Sequence, residues 1–335
     1  MTNTAVRLRE GVTPVQRARG ETLLVSPDGR SALRTGRVGG ALLPLLLHGT
    51  TREQLMMVLR QRYPGAGDVD QKVQRFLETL RRAGMLTGAS PRRMHRVATE
   101  RFAPIDVNPV ARRVARVLNG RPGLVLSVLA VGIFSAVVGV SMAWTIDRHQ
   151  LNPVGLVYRF DPIGLALFVC IVVPLHELAH AVACSAAGVP VTSAGIVWRG
   201  GIVPSPYVDT SQAYRVAGRW TRFLIPAGGP LVDVLASGAG AWGVVWTGAT
   251  GRVGHAALYL LLISLVFLCF DTTPLTPSDG SHMLEAMLDD ELARVAALSR
   301  WKPRLSPPRI VWTYRAACVA HTLSAAAVLI ATVRP

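Results

Sequence analysis

Acidic residues and lysine are scarce in this chain. Of 335 residues only 20 are acidic against 36 basic, giving a formal net charge of +16, and Lys72 and Lys302 are the only lysines. Cysteine is equally sparse. Cys170, Cys184, Cys269 and Cys318 all lie inside apolar runs and none forms a Cys-x-x-Cys pair. That argues against a thiolate zinc site and a disulfide framework, and leaves the four as small buried residues. Charged residues make up 17% of the chain while half of it is apolar, so a polytopic membrane protein fits better than a soluble enzyme. No apolar stretch follows "MTNTAVRLREG", so a cleaved secretory signal is not expected. The basic excess reads as a topology signal and a solvated surface rather than as a nucleic-acid footprint.

What is present divides into a polar, arginine-rich beginning and an apolar remainder. Residues 1–90 read as a small soluble α+β domain. "ETLLVSPDGRSALRT" places two β-prone runs around a Pro-Asp-Gly turn, which predicts a hairpin. "VGGALLPLLLHG" is a short apolar segment ending at glycine, and Thr50 and Glu53 have capping-box spacing before a helix in "QLMMVLRQRY". Val69, Val73, Phe76, Leu77 and Leu80 recur at helical spacing, with Gly84 as the stop. A hairpin and three short helices describe a winged-helix-like module. That outline raises DNA binding, but Asp68, Asp70 and Glu78 interrupt the basic face of the third helix. A tether close to the membrane argues against operator binding as well, and nucleic acid is not an expected partner.

Residues 91–122 read as a basic linker, and residues 123–335 as a transmembrane helix bundle with a lipid bilayer as its solvent. The expected fold class is therefore mainly α, a polytopic bundle of about five spans with the small α+β domain at its amino terminus. The spans are Gly123–Trp144, Pro162–Ala187, Phe223–Trp246, Ala256–Phe270 and Ile310–Val333, the fourth being short for a full crossing. Trp144, Trp246 and Trp312 sit near span ends, as interfacial anchors do. Eight arginines lie between Arg92 and Arg121, which places the amino terminus in the cytoplasm of a multi-pass cell-membrane protein.

The second span carries "PLHELAHAV". His176 and His180 are four apart and so share one helix face, where two imidazoles can grip one zinc ion while Glu177 addresses a water on it. A pair of structural histidines would not account for Glu177, because an ionisable group inside a span costs about 2.5–3.5 kcal/mol even on the mildest scale. A catalytic zinc takes a third protein ligand. The fourth span runs on into "DTTPLTPSDGSHML", and topology brings Asp279 to the level of the histidines, with Asp271 and His282 as rivals.

Together, "HELAH", "GGPLVDVLAS" and "DTTPLTPSDG" resemble the site-2 protease family of intramembrane zinc metalloproteases over roughly Pro162 to His282. The resemblance implies one Zn2+ per chain held by His176, His180 and Asp279, with Glu177 as the catalytic glutamate. Two positions depart from the family pattern. Asp233 and Asp271 stand where the family has asparagines that hold substrate, and a carboxylate lacks the amide's donors unless protonated. Beyond the resemblance, the β-prone runs in "VTSAGIVWRGGIVPSP" predict a hairpin whose edge could pair with substrate backbone.

Val6 to Leu86 resembles the small leader-recognition domain first known from pyrroloquinoline-quinone biosynthesis. In that family a leader peptide pairs with the last hairpin strand and lies against the third helix. The corresponding positions include Leu33, Arg34, Lys72 and Arg75. The combination is similar to membrane proteases of daptide-type pathways. It implies a zinc metalloendopeptidase that binds a precursor peptide by its leader and cuts it off. Regulated proteolysis of a membrane-anchored transcription or anti-sigma factor is the alternative, and a non-proteolytic membrane chaperone or immunity factor is another. Neither the substrate's identity nor the oligomeric state is legible in the sequence.

Overall fold

The computed structural model describes residues 5–17, 21–27, 32–64, 67–89, 100–102, 104–147, 151, 156, 159–199, 203–299 and 305–333. It divides into two compact units. The first comprises Met1–Glu100, Trp198–Val203 and Ser211–Gly218, and the second Arg101–Val197, Pro204–Thr210 and Arg219–Pro335.

In the first unit, strands β1 (Thr13–Gln16), β2 (Thr22–Val25) and β3 (Ala32–Thr35) form an antiparallel sheet in that order. The expected hairpin is β2–β3, with Thr22 opposite Thr35 and Leu24 opposite Leu33, while its Asp28-Gly29 turn lies outside the described residues. Strand β1 was not expected. Helices α1 (Arg37–His48), α2 (Arg52–Arg62) and α3 (Val69–Arg82) follow. The capping box before α2 is Thr51 with Gln54, one residue beyond the Thr50–Glu53 pair that the spacing suggested. Glutamine's amide oxygen serves the box as glutamate's would, accepting from the Thr51 backbone N–H at 3.0 Å. Leu24, Leu42, Leu46, Leu55, Leu59, Val73 and Leu80 are buried together, and each such side chain contributes about 1.5–3 kcal/mol. The segment Ser211–Gly218 belongs to this unit through Arg17, which donates to the carbonyls of Tyr214 and Val216 at 2.8 and 2.9 Å.

The second unit holds five helices long and apolar enough to cross a membrane. They are α5 (Pro122–Asp147), α6 (Pro162–Ala186), α7 (Arg219–Thr247), α8 (Gly251–Asp271) and α11 (Pro308–Val333). This is a multi-pass architecture. The fourth span is not short, because α8 begins at Gly251 and runs for 21 residues. Part of the expected linker is also ordered. Strand β4 (Glu100–Phe102) is followed by helix α4 (Asn108–Asn119), which opens with Pro109 and buries Ala111 and Ala115. Between α6 and α7 lie strands β5 (Ala194–Arg199) and β6 (Val203–Val208), in a sheet of order β4-β5-β6. The short helices α9 (Asp279–Leu288) and α10 (Ala293–Leu298) precede α11.

Helix α6 is not uniform. Pro174 offers no backbone N–H, and a π turn over Phe168–Val172 widens the helix just before it. Helix α9 is fixed at both ends. Its Ser278 cap accepts from the Ser281 N–H and donates to the Thr273 carbonyl. Beyond its other end, Arg222 of α7 donates to Asp289 and, at 2.8 Å, to Glu291. Arg222 is buried, and removing it takes a buried positive charge from two largely buried acidic side chains. Arg222→Ala should therefore cost about 3–5 kcal/mol, read as a lowered unfolding temperature in detergent, and an unchanged melt would show that the cluster does not brace α9.

Candidate metal centre

His176 and His180 project from one face of α6 and are both almost fully buried, at 4% and 5% exposure. Their outward nitrogens are committed as donors. His176 Nδ1–H donates to Asp233 Oδ2 at 3.0 Å, and His180 Nδ1–H donates to the Ile225 carbonyl at 2.9 Å. In the neutral imidazole this leaves a lone pair on each Nε2. The two Nε2 atoms lie 3.2 Å apart. Asp279 Oδ2 completes a triangle, 3.3 Å from His176 Nε2 and 3.1 Å from His180 Nε2. Bonds of about 2.0–2.2 Å put the ligand atoms of a tetrahedral zinc ion roughly 3.3–3.5 Å apart, so the triangle has the dimensions of one face of such a site. Two lone pairs and a carboxylate oxygen this close repel unless positive charge lies among them.

The surrounding backbone leaves room for an ion. A Cβ on Gly229 would lie 2.3 Å from His176 Nε2 and 2.5 Å from His180 Nε2, inside the space between the donors. A Cβ on Gly280 would lie 2.0 Å from the Thr272 carbonyl oxygen, so the residue after Asp279 must be glycine for α9 to approach the end of α8. Gly229 is not legible as a site residue in the sequence, where its signal is the Gly-Gly-Pro triplet within "GGPLVDVLAS".

Among the three proposed third ligands, the structure groups Asp279 with both histidines. The His282 ring is turned to Glu285, with Nδ1 3.2 Å from its carboxylate. Asp271 falls in a second group with His176 and Asp233. Asp233, expected from the family pattern to position substrate, is fully buried with its carboxylate against His176. That contact fixes the tautomer and orientation of a ligand-type histidine. Asp233→Ala should lower the affinity for Zn2+ about 10- to 100-fold, measured by chelator competition; an unchanged affinity would remove this orienting role.

Glu177 points to the sheet beside this centre, where the backbone amide of Val208 interacts with its carboxylate. The Asp209 N–H donates to the Ser193 carbonyl at 2.8 Å, which sets the register of β6. With a period of two, the backbone groups of Ser205 and Tyr207 turn toward β5, and those of Pro204, Pro206 and Val208 turn outward. Proline occupies the two outward positions where a lost N–H breaks no ladder bond. The outer edge of β6 thus offers carbonyl acceptors next to Glu177 and keeps its Val208 donor for that carboxylate.

In the first unit, residues 21–86 match the family described as Coenzyme PQQ synthesis protein D (PqqD). This region is a PqqD domain. It runs from β2 through α3 to Leu86, where an isolated bridge joins Leu8. No curated protein matches the chain, and no solved structure does. Within the PqqD domain, Leu33 and Arg34 lie on β3, one of the two edge strands of the sheet, and Arg34 pairs with Glu21 at 3.6 Å. Lys72 and Arg75 are exposed on α3.

Proposed function

We propose that this protein is a membrane-embedded zinc metalloendopeptidase that removes the leader from a ribosomally synthesised, post-translationally modified precursor peptide. The observation that carries the reading is the triangle of His176 Nε2, His180 Nε2 and Asp279 Oδ2 with Gly229 opening the space between them. His176, His180 and Asp279 would hold one Zn2+, which when bound polarises the scissile carbonyl and acidifies a water. Glu177 takes the proton from that water as its oxygen attacks and hands it to the leaving amine, so one peptide bond and one water become an acid and an amine. Asp233 keeps His176 in the tautomer that leaves Nε2 unprotonated. Val208 holds the Glu177 carboxylate at the edge of β6. An extended substrate strand laid along that edge donates its N–H groups to the carbonyls of Pro204 and Pro206.

The PqqD domain supplies the specificity. A leader added as a further strand at β3, beside Leu33 and Arg34 and against the Lys72 and Arg75 face of α3, would hold the precursor in place. Tethering raises the local concentration of the scissile segment without tight binding at the metal centre. The likeness of "HELAH", "GGPLVDVLAS" and "DTTPLTPSDG" to the site-2 protease family supports the peptidase half of this reading. The arginines before α5 support a cytoplasmic amino-terminal unit. Glu177 weighs against a chaperone or immunity factor, because a structural zinc needs no general base.

The test co-expresses the protein with short precursor peptides encoded beside its gene and reads the products by mass spectrometry. A leader cut that depends on both the protein and an intact leader is the expected result. Uncut precursors together with cleavage of a membrane-anchored regulator would transfer the same centre to regulated proteolysis.

A further inference from the structure

Asp271, the last residue of α8, carries a carboxylate where the resemblance leads one to expect an amide. Its Oδ2 is buried and has no hydrogen-bond partner. That oxygen lies 3.9 Å from His176 Nε2, the nitrogen whose lone pair faces Asp279 and His180. The ligand atoms of His176, Asp233 and Asp271 all lie within 4.8 Å of one another. Asp233 spends its Oδ2 on the His176 Nδ1–H. Asp271 therefore borders the Nε2 of the same ring from outside the group formed by His176, His180 and Asp279.

An unpartnered anionic oxygen beside an imidazole lone pair, with the Asp279 carboxylate on the same ring nitrogen, is unfavourable on its own. A divalent cation between them relieves it. Its separation of 3.9 Å from His176 Nε2 is about half an ångström beyond that of adjacent ligands on tetrahedral zinc, and the side chain must also turn toward His180 and Asp279 to reach the same ion.

Resting on the metal reading above, we propose that Asp271 is a fourth protein ligand. Approaching from the His176 side, it occupies the position that a catalytic site normally keeps for water. The resting centre is then closed by its own carboxylate, and substrate must displace Asp271 before hydrolysis begins. An asparagine at this position would hold substrate instead. The carboxylate converts a substrate contact into a latch on the cation.

The experiment uses the full chain purified in detergent. Zn2+ affinity is measured by chelator competition, and coordination by the visible absorption of the Co2+-loaded protein. Asp271→Asn is nearly isosteric and keeps the fold, and His282→Gln, at a residue outside both ligand groups, serves as control. Wild type should give the intense absorption of a four-coordinate centre. Asp271→Asn should give a weaker, higher-coordinate spectrum and an affinity lower by at least about 10-fold, with His282→Gln unchanged. An Asp271→Asn protein with the wild-type spectrum and affinity would overturn the proposal while leaving the metal reading intact. A folded wild-type protein that binds neither cation would overturn both.

Discussion

Glu177→Ala is expected to leave the metal content of the purified protein unchanged and to reduce cleavage of its substrate by about 10²- to 10⁴-fold, the usual worth of a positioned general base. The two effects separate because Glu177 lies outside the group formed by His176, His180 and Asp279. It is on the same helix turn, yet its carboxylate is directed to the Val208 amide. Metal analysis alongside product mass spectrometry reads both quantities on one preparation. Cleavage that persists in Glu177→Ala at the wild-type rate would remove the hydrolytic assignment whatever the metal content.

Gly229→Ala should have the opposite signature, losing metal and cleavage together. The added methyl carbon would stand 2.3 Å from His176 Nε2 and 2.5 Å from His180 Nε2, closer than any non-bonded carbon and nitrogen approach. Gly229 is in α7, a helix that also carries Asp233 and the Ile225 carbonyl, so the backbone cannot withdraw without releasing both histidines. A fall in Zn2+ affinity of about 100-fold or more is expected, with helicity by circular dichroism preserved. A helical Gly229→Ala protein that retains a full equivalent of zinc would place the cation elsewhere. The pair of variants is informative as a pair: one empties the centre, and the other disarms it while full.

Much of the molecule was legible without coordinates because the signals are local. The five apolar runs become α5, α6, α7, α8 and α11, the fourth lengthened to Gly251–Asp271, since a lipid interior forces each run to satisfy its own backbone. The spacing of Val69, Val73 and Leu80 puts the buried side of α3 on one face. Local signals also misled where two were adjacent. Thr50 and Thr51 both precede α2, and the backbone chose the second. The arginines of residues 108–119 read as part of a linker, although Pro109 at a helix start and small residues at positions 111 and 115 mark one buried stripe.

The sequence by itself determined that two imidazoles would share a helix face, because four residues make about one helical turn whatever the rest of the chain does. It also offered three acidic or histidine candidates at the end of the fourth span. Only the tertiary structure decided which of them faces both histidines. Asp271, Asp279 and His282 lie within a dozen residues, and the cap at Ser278 together with the close approach at Gly280 turns Asp279 to the histidines and His282 toward Glu285. The partnership of His176 with Asp233, 57 residues apart, and the space kept by Gly229 likewise depend on how α7 packs against α6. Packing between helices distant in sequence is set by the whole set of touching side chains, and no short stretch of sequence contains it.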